Sequence, residues 1–258
     1  MLGRKSNYET RVEVCGALLA VALLGTGLLA QTTSAARYDG GIQTKVTQKL
    51  TDQKKFRNVK ASTEDGIVTL SGRVELYQQK LDATKKVRKI ADVQGVRNLI
   101  AVSTTVPDVE LMAKLERKLY YDRIGYDNVF NFVDVSVKDG VATLSGETRT
   151  DVGRDSAVDL VNRTPGVKDV VNNVRVAPAS IFDDQIRRSA LRAIYRDPVL
   201  NRYAIDPALP IRIVVDNGNL TLYGTVLNSM DKQVTGIRAG QIFGVFKVQN
   251  NLEVAKQS

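Results

Sequence analysis

Histidine and tryptophan are absent from this chain of 258 residues, and cysteine occurs once. Histidine is the commonest general base, the commonest metal ligand and the usual pH sensor of proteins. Its absence, with no other convergent set of polar residues in the sequence, disfavours most catalytic and metal-dependent functions. We therefore expect a protein that is not an enzyme and that uses no cofactor and no metal ion.

The N-terminal segment has the pattern of a secretory signal. Basic residues precede an apolar run at 14–30, and small residues follow it directly. We expect residues 1–36 to be a signal peptide cleaved after Ala35 or Ala36, which leaves a periplasmic or secreted chain. The alternative is an uncleaved membrane anchor at 14–30. An apolar run of this length is just long enough to span a bilayer. Cys15 lies at the start of the run, which argues against lipidation.

One short phrase occurs three times in the rest of the chain. It reads DGIVTLSG at 65–72, DGVATLSG at 139–146 and NGNLTLYG at 217–224, and a Gly-Val pair follows each copy. This repetition predicts three tandem domains, at 40–106, 107–178 and 179–258, which we call the first, second and third repeats. Nine glycines are the landmarks of the pattern: Gly66, Gly72 and Gly95, then Gly140, Gly146 and Gly166, then Gly218, Gly224 and Gly244.

Each repeat has the periodicity of a helix, a hairpin, a second helix and a last strand. Apolar residues alternate on both sides of the Asp-Gly or Asn-Gly pair, which is the strongest short-range signal for a hairpin with a type I′ turn. A second helix is clearest at 77–91, whereas glycines weaken the pattern at 231–241. The first helix of each repeat is predicted at about 42–54, 108–121 and 181–195.

This order predicts an α+β fold of three tandem αββαβ domains, each a three-stranded mixed sheet with two helices packed on one face. The last strand is expected to lie parallel to its neighbour after a right-handed crossover. Asp108 and the pair Asp183-Asp184 are expected to cap the helices that they begin. Gly72 and its counterparts are expected to mark a bulge or a close approach of helix to strand. Neighbouring repeats are expected to pack together, since each core is small.

The motif D-G-x-x-T-L-S-G, followed by a helix and by P-G-V-x-x-V-x-N-N, resembles the BON family (bacterial OsmY and nodulation). The resemblance covers about 40–256 as three copies. It implies secreted or periplasmic proteins that bind phospholipid and preserve envelope integrity under osmotic stress, without enzymatic activity. The asparagine pair is present at 172–173 and 250–251, whereas the first repeat has Ala101-Val102 in its place and a longer linker after its second helix.

Positive charge is concentrated in the first repeat, within a net charge of +9 for the whole chain. A solvated helix face is an equally good interpretation of this charge. DNA is disfavoured as a partner because the chain is predicted to be exported. Aromatic residues at 120–132 and 195–203 either reach a membrane interface or pack in the core. The cations predicted to contact the headgroups of an anionic phospholipid membrane are Lys80, Lys85, Lys86, Arg88 and Lys89.

Two further patterns are better explained by structure than by chemistry. Ser71 and Ser145 have no histidine to activate them, and Tyr223 replaces them in the third copy. The aspartates spaced four residues apart from Asp151 to Asp159 would line one helical face, which is a poor cage for a cation. The main alternative to lipid binding is an adaptor or holdase-like module that adds a strand of an envelope protein to an exposed sheet edge.

Overall fold

Each repeat contains a helix, a hairpin, a second helix and a final strand, in a computed structural model that describes residues 36–103, 105–123 and 125–256. The first repeat comprises α1 (Asp39–Thr51), β1 (Val59–Glu64), β2 (Ile67–Val74), α2 (Tyr77–Val87), β3 (Gly95–Asn98) and β4 (Ala101–Val102). The second comprises α3 (Asp108–Tyr121), β5 (Phe132–Lys138), β6 (Val141–Thr148), α4 (Asp151–Asn162) and β7 (Asp169–Val176). The third comprises α5 (Ile181–Tyr195), β8 (Arg212–Asp216), β9 (Asn219–Tyr223), β10 (Thr225–Val226), α6 (Ser229–Gly240), β11 (Lys247–Asn250) and β12 (Glu253–Val254).

The strands of each repeat form a mixed sheet around the second hairpin strand. In the first repeat β2 pairs antiparallel with β1 on one side and parallel with β3 on the other. The same arrangement surrounds β6 in the second repeat and β9 in the third. Short strands extend the parallel pairing in two repeats, where β4 pairs with β2 and β12 pairs with β10. The predicted α+β architecture is confirmed.

Both helices of a repeat pack on the same face of its sheet. In the first repeat, Val46 of α1 and Val87 of α2 are buried in one cluster with Leu70 of β2. The described residues form three such cores, one for each repeat. Side chains of one repeat pack against the core of the next: Tyr77 of α2 packs against the second, and Val129, from the loop after α3, is buried in the third. Neighbouring repeats therefore pack together, as expected.

An aromatic stack joins the second and third repeats. The rings of Phe132 and Tyr223 are nearly parallel, with their centroids 3.8 Å apart. Close by, the Tyr120 hydroxyl donates a hydrogen bond of 2.7 Å to Asp206. Tyr223 is the residue that replaces serine in the third copy of the repeated phrase. Its departure from the pattern is thus explained by a contact between repeats.

The aromatic segments at 120–132 and 195–203 contribute to both the core and the surface. Tyr195 and Tyr203 are buried in the third core. The rings of Tyr121 and Tyr126 remain about half exposed. Core packing therefore accounts for part of the aromatic content of these segments, and membrane contact by the exposed rings stays a prediction.

The turn of each hairpin has the predicted type I′ conformation. Both central residues have positive φ, as at Asp65 (50°) and Gly66 (75°) in the first repeat. The carboxylate of Asp39, the first residue of α1, accepts hydrogen bonds of 2.8 Å from the backbone amides of both turn residues. Such a turn leaves these amides without a partner in the hairpin ladder, and the carboxylate satisfies them.

The same contact is present in the other repeats, and it corrects the predicted role of Asp108 and Asp183. These aspartates do not cap their own helices. The carboxylate of Asp108 accepts from the turn amides at 2.6 and 2.9 Å, and that of Asp183 at 3.0 and 2.8 Å. The N-terminus of α5 is capped instead by Ser180, whose hydroxyl oxygen accepts from the Asp183 amide. Each aspartate therefore fastens its helix to the hairpin that follows.

Gly72 and its counterparts Gly146 and Gly224 mark a close approach of two strands, so the expected approach of a helix is wrong. The expected bulge is also wrong at Gly146, where the pairing of β6 with both neighbours continues without an extra residue. Gly72 has a φ of 113°, and a Cβ atom on it would collide with the carbonyl oxygen of Asn58, just before β1. The corresponding carbonyl in the other repeats is that of Phe132 or Pro210. Only glycine allows the hairpin strands to come together there.

The strand register corrects the sequence alignment of the first repeat. Gly166 and Gly244 have φ values of 105° and 89°, and the residue with positive φ at this place in the first repeat is Asp92, at 69°. Gly95 lies three residues later and pairs with Ile67 at the start of β3. Gly95 is therefore not the counterpart of Gly166, and the linker of the first repeat is not longer than the others.

This register also identifies Asn98 as the repeat asparagine of the first repeat, in place of Ala101-Val102. Asn98 pairs with Leu70 of β2, as Asn172 and Asn250 pair with the corresponding leucines of β6 and β9. The side-chain amide of Asn98 donates to the carbonyl of Lys80 at 2.8 Å, and that of Asn250 donates to a carbonyl of α6. The asparagine therefore ties the last strand to the second helix in the first and third repeats.

The predicted helices agree with the structure to different degrees. Helices α3 and α5 have the predicted bounds, whereas α2 ends at Val87, before the left-handed Asp92. The pattern at 231–241 is a continuous helix despite its glycines. Gly236 lies where a Cβ atom would meet the amide of Asn250, so the absence of a side chain makes room for the asparagine contact.

Within the described residues, no helix has both the length and the apolar composition needed to cross a bilayer. The segment 1–35, on which the signal peptide and the alternative anchor at 14–30 were predicted, lies outside the described residues.

The contact between Asp183 and the hairpin turn predicts a loss of stability on its removal. Replacing Asp183 by alanine leaves two turn amides unsatisfied, one of them buried, and should lower the free energy of unfolding by about 2 kcal/mol. Urea unfolding followed by circular dichroism measures this change. The matched control is Glu253→Ala, which removes an exposed carboxylate from the same repeat and should change the free energy little. Equal effects of the two substitutions would contradict the assigned role.

The ion pair between the second and third repeats predicts a loss of stability in acid. Two hydrogen bonds from Arg149, at 3.0 and 2.9 Å, lower the pKa of Asp184 from 3.8 to about 2. Because the folded pKa is lowered, the stabilisation is complete above the unfolded pKa and is lost as the pH falls through about 2. Asp184→Asn should flatten the dependence of the urea midpoint on pH between about 4 and 2. The control is Asp134→Asn, which removes an exposed carboxylate of β5 and should leave this dependence unchanged. If Asp184→Asn also leaves it unchanged, the stabilising role of the Arg149–Asp184 ion pair is refuted.

Candidate lysine-rich site

Three of the predicted cations lie around one depression at the end of α2. Lys85 and Lys86 occupy the last turn of the helix, and Lys89 follows it. The depression has a volume of about 380 Å³. Lys85, Lys86 and Lys89 therefore lie around one concave surface, and their contact with a membrane stays a prediction.

The opposite wall supplies two more lysines that the sequence pattern did not identify. Lys49 comes from the end of α1, and Lys55 comes from the short 3₁₀ helix Lys54–Phe56 that follows it. The packing of α1 beside α2 brings these cations to the depression. No local periodicity relates Lys49 or Lys55 to α2, so only the run of positive charge at 54–57 was available as a signal.

Lys55 is positioned by its neighbour Phe56, which anchors the 3₁₀ helix in the domain core. Its side chain is almost fully buried in the first core, beneath the depression. The ammonium group of Lys55 lies 5.0 Å from the centroid of the Phe56 ring, within the range of a cation–π interaction. The buried ring therefore positions the 3₁₀ helix whose lysine faces the depression.

One carboxylate, that of Asp82, lines the depression together with five lysines. The ammonium group of Lys55 is 2.6 Å from the Asp82 carboxylate, and the amide of Gln78 donates to the same carboxylate at 2.8 Å. Burial alone would raise the pKa of Asp82, but the hydrogen bonds from Lys55 and Gln78 outweigh it and the pKa lies below its usual value. Asp82 is therefore ionised at neutral pH and compensates one of the five positive charges.

The other four lysines of the depression form no ion pair with any described residue: Lys49, Lys85, Lys86 and Lys89. Cations of like sign around one concave surface raise the positive potential there above that of isolated surface lysines. The depression is thus suited to a polyanion or to a surface that carries many negative groups.

A second depression, of about 390 Å³, extends the positive surface along the first repeat. It shares Lys55 with the first depression and adds Lys54, Arg57 and Arg73, the last from β2. We call the cationic lining of the two depressions the basic surface; its members are Lys49, Lys54, Lys55, Arg57, Arg73, Lys85, Lys86 and Lys89.

The remaining two predicted cations do not line the depressions. Lys80 is half-buried in the first half of α2, where its carbonyl accepts the hydrogen bond from Asn98. Arg88 is exposed and follows the last residue of the helix. Helical periodicity places Arg88 on the same face as Lys85 only if the helix continues through Arg88. Because α2 ends at Val87, the helix does not place these two cations together.

Two acidic residues of α4 pair with neighbouring arginines. Asp155 pairs with Arg154 and Asp159 pairs with Arg163, each at 2.8 Å. In the described part of the chain, no group of three or more acidic or cysteine side chains is placed to hold a metal ion. The interpretation of these aspartates as a solvated helix face is consistent with both findings.

The match to a protein-family model agrees with the internal repeat. The BON domain matches three successive segments, at 38–104, 107–178 and 183–256. The chain is similar to osmotically-inducible protein Y of Escherichia coli (strain K12), with 27% identity over 147 residues that cover 53% of this chain and 72% of the relative.

Two solved structures show weaker similarity. One is CdsD, a structural protein of the type III secretion system of Chlamydia trachomatis, with 15% identity and a TM-score of 0.25 over 86% of this chain and 93% of that chain. The other is the periplasmic domain of PrgH, a type III secretion inner membrane protein of S. typhimurium, with 11% identity and a TM-score of 0.19 over 78% and 96% of the two chains. Neither TM-score is high enough to support an argument about fold or function. The three BON matches cover most of the chain and follow the αββαβ order of its elements, and the chain therefore belongs to the BON domain family.

Proposed function

We propose that this chain is a non-catalytic protein of the bacterial periplasm, or secreted, whose first repeat binds anionic phospholipid surfaces. The observation that supports this proposal is the basic surface, where five lysines surround one depression that contains a single carboxylate. The similarity to an osmotically-inducible protein suggests the setting, which we propose to be maintenance of the envelope under osmotic stress.

The size of the electrostatic attraction fits a reversible membrane contact. A cation close to an anionic membrane contributes about 1 kcal/mol, so the four lysines without an ion pair contribute about 4 kcal/mol together. Salt screens this attraction, which falls off over a distance of about 10 Å at 0.1 M ionic strength. We therefore propose binding that depends on the anionic lipid content and weakens as salt is added.

A second candidate function is strand addition by an envelope protein. Among the described strands, β7 pairs with β6 alone, so its other edge has no strand partner. Strand β7 runs from Asp169 to Val176 and is long enough to template an added strand. This function predicts a stoichiometric protein partner whose binding does not require lipid.

We further propose that the repeats are separate domains, with boundaries at 106/107 and 178/179. The three hydrophobic cores support this division. The burial of Val129 in the third core supports a firm junction between the second and third domains. With these boundaries, the basic surface proposed to contact lipid lies entirely in the first of the three domains.

Charge reversal on the basic surface should abolish vesicle binding. The full chain should float with vesicles that contain phosphatidylglycerol and should stay unbound with phosphatidylcholine alone. The triple variant Lys85→Glu, Lys86→Glu, Lys89→Glu should lose flotation, because it places three negative charges where the lipid surface approaches. A matched control, Lys60→Glu, Arg97→Glu, Lys138→Glu, makes the same change of charge at exposed residues of the sheets and should still float.

Flotation of the triple variant at the level of the original protein would remove the basic surface from the proposal. Absence of flotation by the original protein at any anionic lipid content would refute lipid binding altogether. In that event, capture of a stoichiometric envelope protein by the original chain would favour strand addition.

Neutralising Asp82 should strengthen vesicle binding. The substitution Asp82→Asn releases Lys55 from its ion pair and adds one positive charge to the depression. One further cation near the surface should raise the affinity about fivefold at low salt. Vesicle co-sedimentation across a salt series measures the change, with Asp155→Asn on α4 as the control for net charge. Equal gains in the two variants would indicate a response to net charge alone.

A further inference from the structure

A cleft between the second and third repeats contains two buried arginines. The cleft has a volume of about 390 Å³ and is lined by residues of α3, of the loop after it and of β5, together with the start of β8. The side chains of Arg123 and Arg212, one from each repeat, are 3% and 8% exposed. Buried cations in proteins are normally paired with an anion, so these two require an explanation.

No carboxylate of the described residues forms an ion pair with either arginine. The guanidinium of Arg123 donates to the hydroxyl of Ser156 at 3.2 Å and to the carbonyl of Gly153 at 2.6 Å. The guanidinium of Arg212 donates to the carbonyl of Ala208 at 2.6 Å and lies 5.2 Å from the centroid of the Tyr120 ring, whose hydroxyl donates to Asp206. Each guanidinium has five N–H groups, so both retain donors that these contacts do not use.

Both guanidinium groups remain charged at neutral pH. Burial and, to a smaller extent, the charge of Arg212 together lower the pKa of Arg123 to about 10. Burial also lowers the pKa of Arg212, and the nearby Tyr120, Tyr195 and Asp206 offset only part of this effect. Two positive charges that repel one another are therefore held in a common cleft, at a cost in desolvation that an anion would offset.

A third polar group in the cleft is only partly satisfied. The side chain of Asn128 is buried; its Nδ2 atom donates to the carbonyl of Tyr120 at 3.5 Å, whereas its Oδ1 atom accepts no hydrogen bond from any described residue. Buried polar atoms are nearly always hydrogen-bonded, and an exception is a place to look for a bound water, ion or ligand. Oδ1 accepts hydrogen bonds, so it fits a ligand that has a hydroxyl donor beside its anionic group.

The rest of the lining combines apolar residues with two exposed carboxylates. Leu119, Val133 and Pro210 line the cleft, whereas the carboxylates that line it belong to the exposed residues Glu116 and Asp134. A cavity of 300–1,000 Å³ with apolar walls and a few convergent polar groups is typical of a small-molecule site. The volume of the cleft, about 390 Å³, is larger than the volume of an inorganic anion such as phosphate.

We propose that the arginine cleft binds the phosphate group of a phosphate monoester, with the organic part of the molecule against the apolar walls. Two guanidinium groups match the charge of a phosphate dianion, and the planar arginine fork suits two parallel hydrogen bonds to its oxygens. A hydroxyl of the ligand donates to Oδ1 of Asn128. The phosphate group belongs either to a soluble ester or to a lipid headgroup. This proposal does not depend on the basic surface.

The test is isothermal titration calorimetry of the full chain with three probes: inorganic phosphate, phenyl phosphate and a short-chain phosphatidic acid below its micelle concentration. Phenyl phosphate should bind more tightly than inorganic phosphate, because its ring adds apolar contact. The variant Arg212→Met should weaken binding tenfold or more, since it removes a charged hydrogen-bond donor. Arg117→Met, which removes an exposed arginine from α3, should bind as the original chain does.

Binding of phenyl phosphate that Arg212→Met weakens would support a soluble ester, and binding of phosphatidic acid alone with the same loss would support a lipid headgroup. Failure of the original chain to bind any of the three probes would overturn the proposal, whether or not the variants fold. Equal binding by the original chain and a folded Arg212→Met variant would also overturn it, because the anion would then bind elsewhere. If Arg212→Met does not fold, Arg212→Lys keeps the charge without the fork and should bind phenyl phosphate more weakly. Unchanged binding by Arg212→Lys would overturn the assigned geometry.

Discussion

The hairpin turn of each repeat is held by an aspartate from the start of the preceding helix. Asp39, Asp108 and Asp183 each accept hydrogen bonds from both amides of a type I′ turn. This contact fixes the first helix against the hairpin, and the hairpin supplies the central strand of the sheet. The last strand is tied to the second helix by Asn98 in the first repeat and Asn250 in the third. These polar anchors, together with the apolar packing of each core, set the positions of the helices.

The repeats share this scaffold and differ in what they place around it. In the first, lysines from α1, α2 and the intervening 3₁₀ helix meet around one depression. In the third, Tyr223 replaces serine and stacks on Phe132 of the second, and Arg149 of the second repeat binds Asp184 of the third. The arginine cleft lies at this same junction. The scaffold residues thus account for the repetition, and the sites lie in residues that differ between copies.

Much of this fold follows from local sequence patterns. The alternation around each Asp-Gly or Asn-Gly pair predicted the hairpins, and the periodicity at 108–121 and 181–195 predicted α3 and α5 with their observed bounds. The first repeat was misaligned because Asp92 adopts the left-handed conformation that glycine has in the other copies, which made Gly95 look equivalent. The aspartates were expected to act as helix caps because a contact between a helix start and a turn about thirty residues later has no local signature. Lys49, Lys55 and the two cleft arginines were missed for the same reason, since tertiary packing alone brings them together.

The central functional claim is that the first repeat faces the membrane through the basic surface. Hydrogen–deuterium exchange of the full chain, with and without phosphatidylglycerol vesicles, locates the contact directly. We expect slower exchange at 49–57 and 80–89 when the vesicles are present, and no change there with phosphatidylcholine alone. Slower exchange confined to the third repeat, where Phe182, Phe243 and Phe246 are the most exposed aromatic side chains, would contradict the claim.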